Sequence, residues 1–273
     1  MKLVNQSTKE QAFSLVELAI VLVVLGLLVG GVLSGQSLIR ASELRSVSTE
    51  YQRYTTAVGS FRDKYFALPG DMSNAVSFWG NTITGNGNGD GLIGNTATAI
   101  GAAAATTSNE ISNFWQHLAS AQLVEGSYTV VANTTMTPGT NNPRAKIASA
   151  GWNVAHLGTV GVNGVSSPDA NNTDPAATTF FAGTYGNVFL LGSGTSSILP
   201  VGIFKAEEAW NIDTKMDDGR PDQGSVTTLE SQGEDDNSRC SNLDTNTSAL
   251  AASTYVLANT SSSACSMVFK TGY

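Results

Sequence analysis

The chain has 273 residues, only 13% of them charged, and a formal net charge of -8 at pH 7. This length accommodates one large domain or two small ones, with a substantial buried core. Nonspecific binding to nucleic acid depends on lysine and arginine, and this chain has only 14 of them, with no basic cluster. The composition therefore disfavours phosphate binding, and we expect no nucleic-acid partner.

The N-terminal segment combines a long apolar run with one carboxylate. Residues 13–33 contain no charged residue except Glu17. As a helix they would extend about 31 Å, which is enough to span the hydrocarbon core of a bilayer. A charge within such a segment costs about 2.5–3.5 kcal/mol on insertion scales, so Glu17 calls for an explanation.

Two interpretations of this segment leave Glu17 unexplained. A secretory signal peptide would account for Lys2 and Lys9 as a basic start, but the apolar run 18–33 is long and no A-x-A cleavage site follows it. A plain membrane anchor would account for the length alone.

The sequence AFSLVE, residues 12–17, resembles the processing site of type IV pilins and type II secretion pseudopilins. The resemblance implies that residues 1–12 are a prepilin leader, cut between Ala12 and Phe13 by a prepilin peptidase. Phe13 would then carry a free, usually methylated, amine. The family usually has Gly before the cut, whereas this chain has Ala12.

The same resemblance implies a role for Glu17 in assembly. The amine of one subunit would pair with Glu17 of a neighbour in a low-dielectric bundle of helices, and a wrong register would leave both charges unpaired. The implied partners are copies of the chain, other pilins, the membrane and an inner-membrane assembly platform. The implied location is the inner membrane, as a single-pass protein, and then a filament in the periplasm or at the cell surface.

The implied function is that of a structural subunit of a type IV pilus-like filament, for adhesion, motility or DNA uptake. The alternative within the family is a pseudopilin of a type II secretion system. A third interpretation is a membrane-anchored periplasmic binding or enzyme domain, which would retain Lys2 and Lys9. Neither His117 nor His156 belongs to a catalytic motif, so we expect no enzymatic activity.

The chain order beyond the leader predicts three segments. Residues 13–36 form the transmembrane or filament-core helix, and residues 37–68 continue it as an amphipathic helix that Pro69 and Gly70 end. Residues 69–273 form a globular head. The amphipathic part has one apolar stripe with alternating spacings of three and four, which we expect to pack on a sheet rather than in a two-helix seam. The stripe consists of Leu44, Val47, Tyr51, Tyr54, Val58, Phe61 and Tyr65, with Glu50 among the charged residues expected on other faces.

The head sequence predicts an α+β fold, with the long helix packed on an antiparallel sheet. A second helix is expected within residues 108–126, with His117 hydrogen-bonded or exposed on it. Short strand-like runs follow among loops rich in Gly and Asn, and residues 80–108 and 132–177 are expected to be loops. The predicted strands are residues 128–131, 178–183, 186–192, 253–258 and 266–270.

Two loops have the composition of calcium sites. Asn86, Asn88 and Asp90 alternate as in the start of an EF-hand loop, but position twelve is Ala97 instead of Glu, and a surface turn without a ligand is the alternative. The second loop, residues 212–224, gathers four carboxylates that suit a hard cation, with an Asx-rich turn as the alternative. They are Asp213, Asp217, Asp218 and Asp222. Apart from calcium we expect no cofactor.

The two cysteines, Cys240 and Cys265, lie near the C-terminus. In an oxidising compartment they would form a disulfide that closes a terminal loop, and the alternative is a pair of free thiols. No histidine or further cysteine lies near them at the spacing of a zinc site.

Overall fold

The computed structural model describes residues 15–94, 110–129, 137–160, 181, 183–193, 201–230, 240–242, 253–258 and 263–273. The chain divides into two compact units, residues 1–43 and 44–273. Within the described residues the elements are four α-helices and four strands. The predicted α+β class is therefore confirmed.

The helices differ greatly in length. Helix α1 runs from Leu15 to Tyr65, α2 from Ala75 to Trp79, α3 from Glu110 to Ser120 and α4 from Ala206 to Met216, and a 3₁₀ turn follows α2 at Gly80–Thr82. Phe66, with φ of 55°, ends α1 in the left-handed region, and its N–H donates to the carbonyl of Arg62 at 2.8 Å. Helix α1 thus ends just before the predicted Pro-Gly stop.

The four strands form one antiparallel sheet in the order β1-β2-β4-β3. Strand β1 is Ala150–Val160, β2 is Gly183–Ser193, β3 is Val226–Glu230 and β4 is Cys265–Lys270. Strands β2 and β4 contain the predicted runs 186–192 and 266–270. Both faces of β2 are buried, which is why its apolar residues are nearly continuous.

The predicted stripe of α1 packs on this sheet. Each of its seven residues is buried or half-buried. The Tyr51 ring lies 5.0 Å from that of Phe269 in β4, and the Tyr54 ring lies 5.6 Å from that of Trp152 in β1. These aromatic contacts form the centre of a core that helix α3 completes with Phe114 and Trp115.

Loops bond to both edge strands of the sheet. On β3, the N–H of Val226 donates to Asp217 and that of Thr228 donates to the carbonyl of Pro221. On β1, the N–H of Trp152 donates to the carbonyl of Pro143, at 3.0 Å. Loops that cover sheet edges in this way prevent pairing with another chain.

Several predicted elements differ from the structure. The prediction missed strand β1, which lies in the predicted loop 132–177. The strand is buried on both faces, so it lacks the alternation of polar and apolar residues, and its Gly, Asn and His residues interrupt the apolar run. The predicted strand 253–258 is wrong, since only Tyr255 forms an isolated bridge, with Ser241. Tyr128 and Thr129 form no strand, and residues 130–131 and most of 178–183 lie outside the described residues.

Glu50, which was predicted only to lie on a face other than the stripe, is buried. It is 6% exposed, and its carboxylate accepts hydrogen bonds from the Trp152 indole N–H at 2.7 Å and the Lys146 backbone N–H at 3.0 Å. Its position, three residues after Val47 and four before Tyr54, places it beside the stripe, where β1 covers it.

Replacing Glu50 by Ala should destabilise the head strongly. Both donors would lose their acceptor, and each buried unsatisfied donor costs about 1–3 kcal/mol, so we expect a loss of about 2–6 kcal/mol. Chemical denaturation of the full chain in detergent would measure it. Asp63→Ala is the matched control, since Asp63 is an exposed acidic residue of the same helix. Equal unfolding free energies for the two variants would contradict the prediction.

Candidate functional site

The first candidate site is the apolar part of α1. All the large apolar side chains between Leu15 and Ile39 are exposed, from 48% for Val24 to 85% for Leu15. The most apolar 18-residue window of this helix has a mean hydropathy of 2.8, and none of it is buried. The helix is long and apolar enough to cross a membrane. An uncovered surface of this size marks a membrane or protein contact.

Of the three residues that the resemblance assigns to processing and assembly, the structure describes only Glu17. Glu17 lies on α1, exposed among these apolar residues. Ala12 and Phe13 lie outside the described residues, so their cleavage remains a prediction.

The second candidate site is a group of three carboxylates in the head. Oxygen atoms of Asp71, Asp90 and Glu110 lie within 4.8 Å of one another. Asp71 and Glu110 are buried, and Asp90 is exposed. Of the three, only Asp90 was predicted as a ligand. The other two lie far from it in sequence, and no local pattern marks them.

Asp71 organises the loop that contains Asp90. Its Oδ1 accepts hydrogen bonds from the backbone N–H groups of Gly89 at 2.6 Å and Asp90 at 3.1 Å, and its Oδ2 accepts one from Gly91 at 2.9 Å. The loop can approach so closely because residue 87 is glycine, where a Cβ would lie 2.3 Å from the Asp71 backbone. Three N–H donors converging on one carboxylate replace the water it loses on burial.

Glu110, the first residue of α3, holds the same loop from the other side. Its Oε1 accepts a hydrogen bond from the N–H of Asn88 at 3.0 Å, and its Oε2 accepts one from Gly94 at 2.9 Å. Burial raises the pKa of both Glu110 and Asp71, and the neighbouring carboxylates raise it further, whereas the N–H donors oppose the rise. The three carboxylates therefore bring negative charge together in a partly buried region, where a charged side chain without a partner is energetically unfavourable.

The amide oxygens of the two predicted asparagine ligands accept hydrogen bonds from the backbone. The Oδ1 of Asn86 accepts the N–H of Val76 at 2.8 Å, and the Oδ1 of Asn88 accepts that of Asp90 at 2.9 Å. Both residues shape the loop through these bonds. Their coordination of calcium stays a prediction.

The third candidate site is the predicted acidic segment after strand β2. The structure brings together Asp213, Asp217 and Asp218, with oxygen atoms within 4.8 Å of one another. Asp222 is not part of this group, and its carboxylate pairs with the Arg220 guanidinium at 3.3 Å. Three of the four predicted carboxylates thus converge at the end of α4.

Asp213 is fully buried in this group. It accepts hydrogen bonds from the Tyr255 hydroxyl at 2.7 Å and the Gly219 N–H at 3.2 Å. Burial raises its pKa to about 7, and the nearby Asp217 and Asp218 add to the rise. Asp217 has a structural role as well, since its Oδ2 accepts the N–H groups of Ser225 and Val226 at the edge of β3.

The predicted disulfide is present and lies beside this group. Cys240 and Cys265 are bonded, with their Cα atoms 5.1 Å apart, and both are fully buried. The closed loop contains Tyr255, the residue that donates to Asp213. The cysteine pairing thus restricts the segment that supplies a partner to the acidic group.

His117 is buried against the loop of the second site and does not face solvent. Its Nδ1 accepts the N–H of Gly70 at 3.0 Å, and its ring lies nearly parallel to that of Phe61. Burial lowers its pKa from the ordinary 6.5 to about 4. Its role is structural, because a neutral ring is required for the bond from Gly70.

Comparison of the chain with protein-family models, with curated proteins and with solved structures finds no match.

The buried histidine predicts a pH dependence of stability. Because the folded state binds the proton of His117 less tightly than the unfolded state, the stabilisation is complete above about pH 6.5 and declines as the pH falls towards 4, by up to about 1.4 kcal/mol per pH unit. The variant His117→Asn keeps an acceptor for the Gly70 N–H, but its side chain does not titrate. Its free energy of unfolding should therefore fall less between these pH values than that of the wild type. Urea unfolding in EGTA at pH 7, 5.5 and 4 measures it.

The matched control for this experiment is His156→Asn, which removes the other histidine of the chain. We expect its unfolding free energy to follow the wild-type pH profile. Identical pH profiles for wild type and His117→Asn would contradict the prediction.

Proposed function

We propose that the chain is a structural subunit of a type IV pilin-like filament, made as a prepilin and processed between Ala12 and Phe13. Its N-terminal helix anchors the subunit in the inner membrane and then packs with the helices of other copies. The observation that carries the proposal is the exposed apolar part of α1 with Glu17 as its one charged residue between Leu15 and Ile39.

The exposed apolar surface is too large for a protein domain that stays in water. Fully burying one Leu or Val side chain is worth about 1.5–3 kcal/mol, and sixteen large apolar side chains are exposed in this segment. Either lipid or a bundle of identical helices would remove that apolar surface from water. The same helix therefore serves in the membrane and in the filament.

Glu17 distinguishes the two environments. In lipid a carboxylate is costly, whereas in a filament the amine of a neighbouring Phe13 offers it an opposite charge. The attraction acts between copies, so it favours assembly and one particular stagger of the helices. A contact between different surfaces of identical subunits repeats without closing, which produces a filament.

Glycine residues in the apolar segment support close packing of helices. Gly26 and Gly30 lie one turn apart, and a Cβ at either position would meet nothing within 4 Å. Small residues at this spacing let helix backbones approach each other in an apolar medium.

The disulfide supports a location outside the cytoplasm for the head. Cys240 and Cys265 are paired and buried in the core. Such bonds form and persist in oxidising compartments such as the periplasm. A head beyond the inner membrane is the orientation that a prepilin requires.

The first test is the mass of the mature N-terminus. We expect protein purified from its native membrane to begin at Phe13 and to carry a methyl group on its amine, because the resemblance places the cut before that residue. Mass spectrometry of N-terminal peptides measures it. Protein that retains Met1 and Lys2 would instead indicate an uncleaved anchor.

The second test is the substitution Glu17→Gln, which removes the charge and nearly keeps the shape of the side chain. The variant should remain in the membrane at wild-type levels but yield filaments reduced at least tenfold, because the pairing charge is lost while the apolar surface is unchanged. Sheared filaments and membrane fractions are quantified by immunoblot. Glu43→Gln, the same substitution beyond the apolar segment, is the control and should assemble normally.

Wild-type filament yield for Glu17→Gln would refute the pairing. In a strain that lacks the chain, a loss of protein secretion with intact surface filaments would favour the pseudopilin alternative. A loss of adhesion, motility or DNA uptake would favour the pilus.

A further inference from the structure

Asn113 of helix α3 has an unusual environment for an amide side chain. It is 1% exposed, and neither its Nδ2 nor its Oδ1 has a hydrogen-bond partner. An unpaired buried polar group costs about 1–3 kcal/mol, so nearly all such groups in folded proteins have partners. The orphaned amide leaves two polar atoms that a bound ligand or a water molecule would satisfy.

The helix periodicity shows where this amide points. Residues three or four positions away share a face of a helix, and for Asn113 these are Glu110, Gln116 and His117. All three bond to the segment that follows α1. The backbone N–H donors on that segment are those of Asn88 and Gly94 for Glu110, Thr84 for Gln116, and Gly70 for His117.

Asn113 therefore lies among these three side chains and faces the loop of residues 83–94. On the adjoining side of α3, Phe114 and Leu118 pack in the core. The amide consequently points to the side of the helix on which Glu110 meets Asp71 and Asp90.

The carboxylates on that side have no cationic partner. In the part of the chain that the structure describes, neither Asp71 nor Asp90 nor Glu110 forms a salt bridge with lysine or arginine. The backbone N–H groups that bond to Asp71 and Glu110 neutralise part of the charge but leave lone pairs on the carboxylate oxygens. Negative charge and an orphaned amide thus lie on the same side of α3.

We propose that Asp71, Asp90 and Glu110 bind a Ca²⁺ ion, with the amide oxygen of Asn113 as a further ligand, directly or through a water molecule. Calcium takes six to eight oxygen ligands in flexible geometry, which suits carboxylates from three separate segments. Magnesium requires near-ideal octahedral geometry and should bind much more weakly. Asp71, Gly89 and Gly91 also line an open groove of about 950 Å³.

The ion would tie together the loop 83–94, the turn at Asp71 and the start of α3. It would stabilise the folded head by mass action, to an extent that increases with the calcium concentration. For a head outside the cytoplasm, a dissociation constant of about 10⁻⁴–10⁻³ M is in the range of extracellular calcium modules. This inference does not depend on filament assembly.

The test uses the full chain in detergent, freed of metal with EGTA and titrated with CaCl₂. Isothermal titration measures the dissociation constant, and thermal unfolding measures the midpoint with and without calcium. We expect calcium to raise the midpoint and MgCl₂ at the same concentration to have little effect. Asp90→Asn should weaken calcium binding at least tenfold, and it should fold normally because Asp90 is exposed.

Two further variants test the amide and the location. Asn113→Ala should weaken calcium binding, and Asn113→Asp should strengthen it, because a carboxylate replaces an amide ligand. Asp218→Asn is the matched control, since it makes the same change at an exposed residue of the other acidic group. Its calcium affinity should equal that of the wild type.

The proposal is overturned if the wild type neither binds calcium nor gains thermal stability from it. It is equally overturned if Asp218→Asn abolishes binding while Asp90→Asn leaves it unchanged, since the ion would then occupy the group around Asp213. Unchanged affinity in both Asn113 variants would overturn the assignment of this residue as a ligand.

Discussion

The head depends on the contact between the second half of α1 and the sheet. Tyr54 is fully buried among rings of three elements, with Trp115 of α3 at 5.0 Å, Trp152 of β1 at 5.6 Å and Phe189 of β2 at 6.2 Å. Aromatic side chains bury large areas with specific mutual geometry, so such a cluster determines where each element lies. Beside the cluster, Glu50 pairs the helix with the indole of Trp152. The apolar area holds the elements together, and the polar bond determines the register between them.

Much of the remaining head is organised by buried or half-buried carboxylates that accept backbone N–H groups. Asp71 and Glu110 hold the loop 83–94, and Asp217 holds the edge of β3. A chain with long turn-rich passages has few apolar residues with which to anchor them. A carboxylate that receives several N–H bonds anchors a loop without regular secondary structure, since it satisfies groups that would otherwise need water. The same property concentrates negative charge, which makes two of these anchors candidate cation sites.

The chain thus carries two chemically different kinds of surface. Residues 15–39 are apolar and exposed, which suits lipid or identical helices. The head is acidic, closed at the described sheet edges and secured by a disulfide, which suits exposure to solvent outside the cytoplasm. This division agrees with a subunit that assembles through its helix and presents its head.

By itself the sequence determined the features that arise from neighbouring residues. These are the apolar segment with Glu17, the amphipathic stripe of α1, the strands β2 and β4, and the convergence of Asp213 with Asp217 and Asp218. Each depends on helical or strand periodicity, or on proximity along the chain. The tertiary structure alone decided which distant residues meet. It buried Glu50 against β1 and brought Asp71 to Glu110, because burial and pairing across a fold depend on how elements pack, and that information is spread over the whole chain.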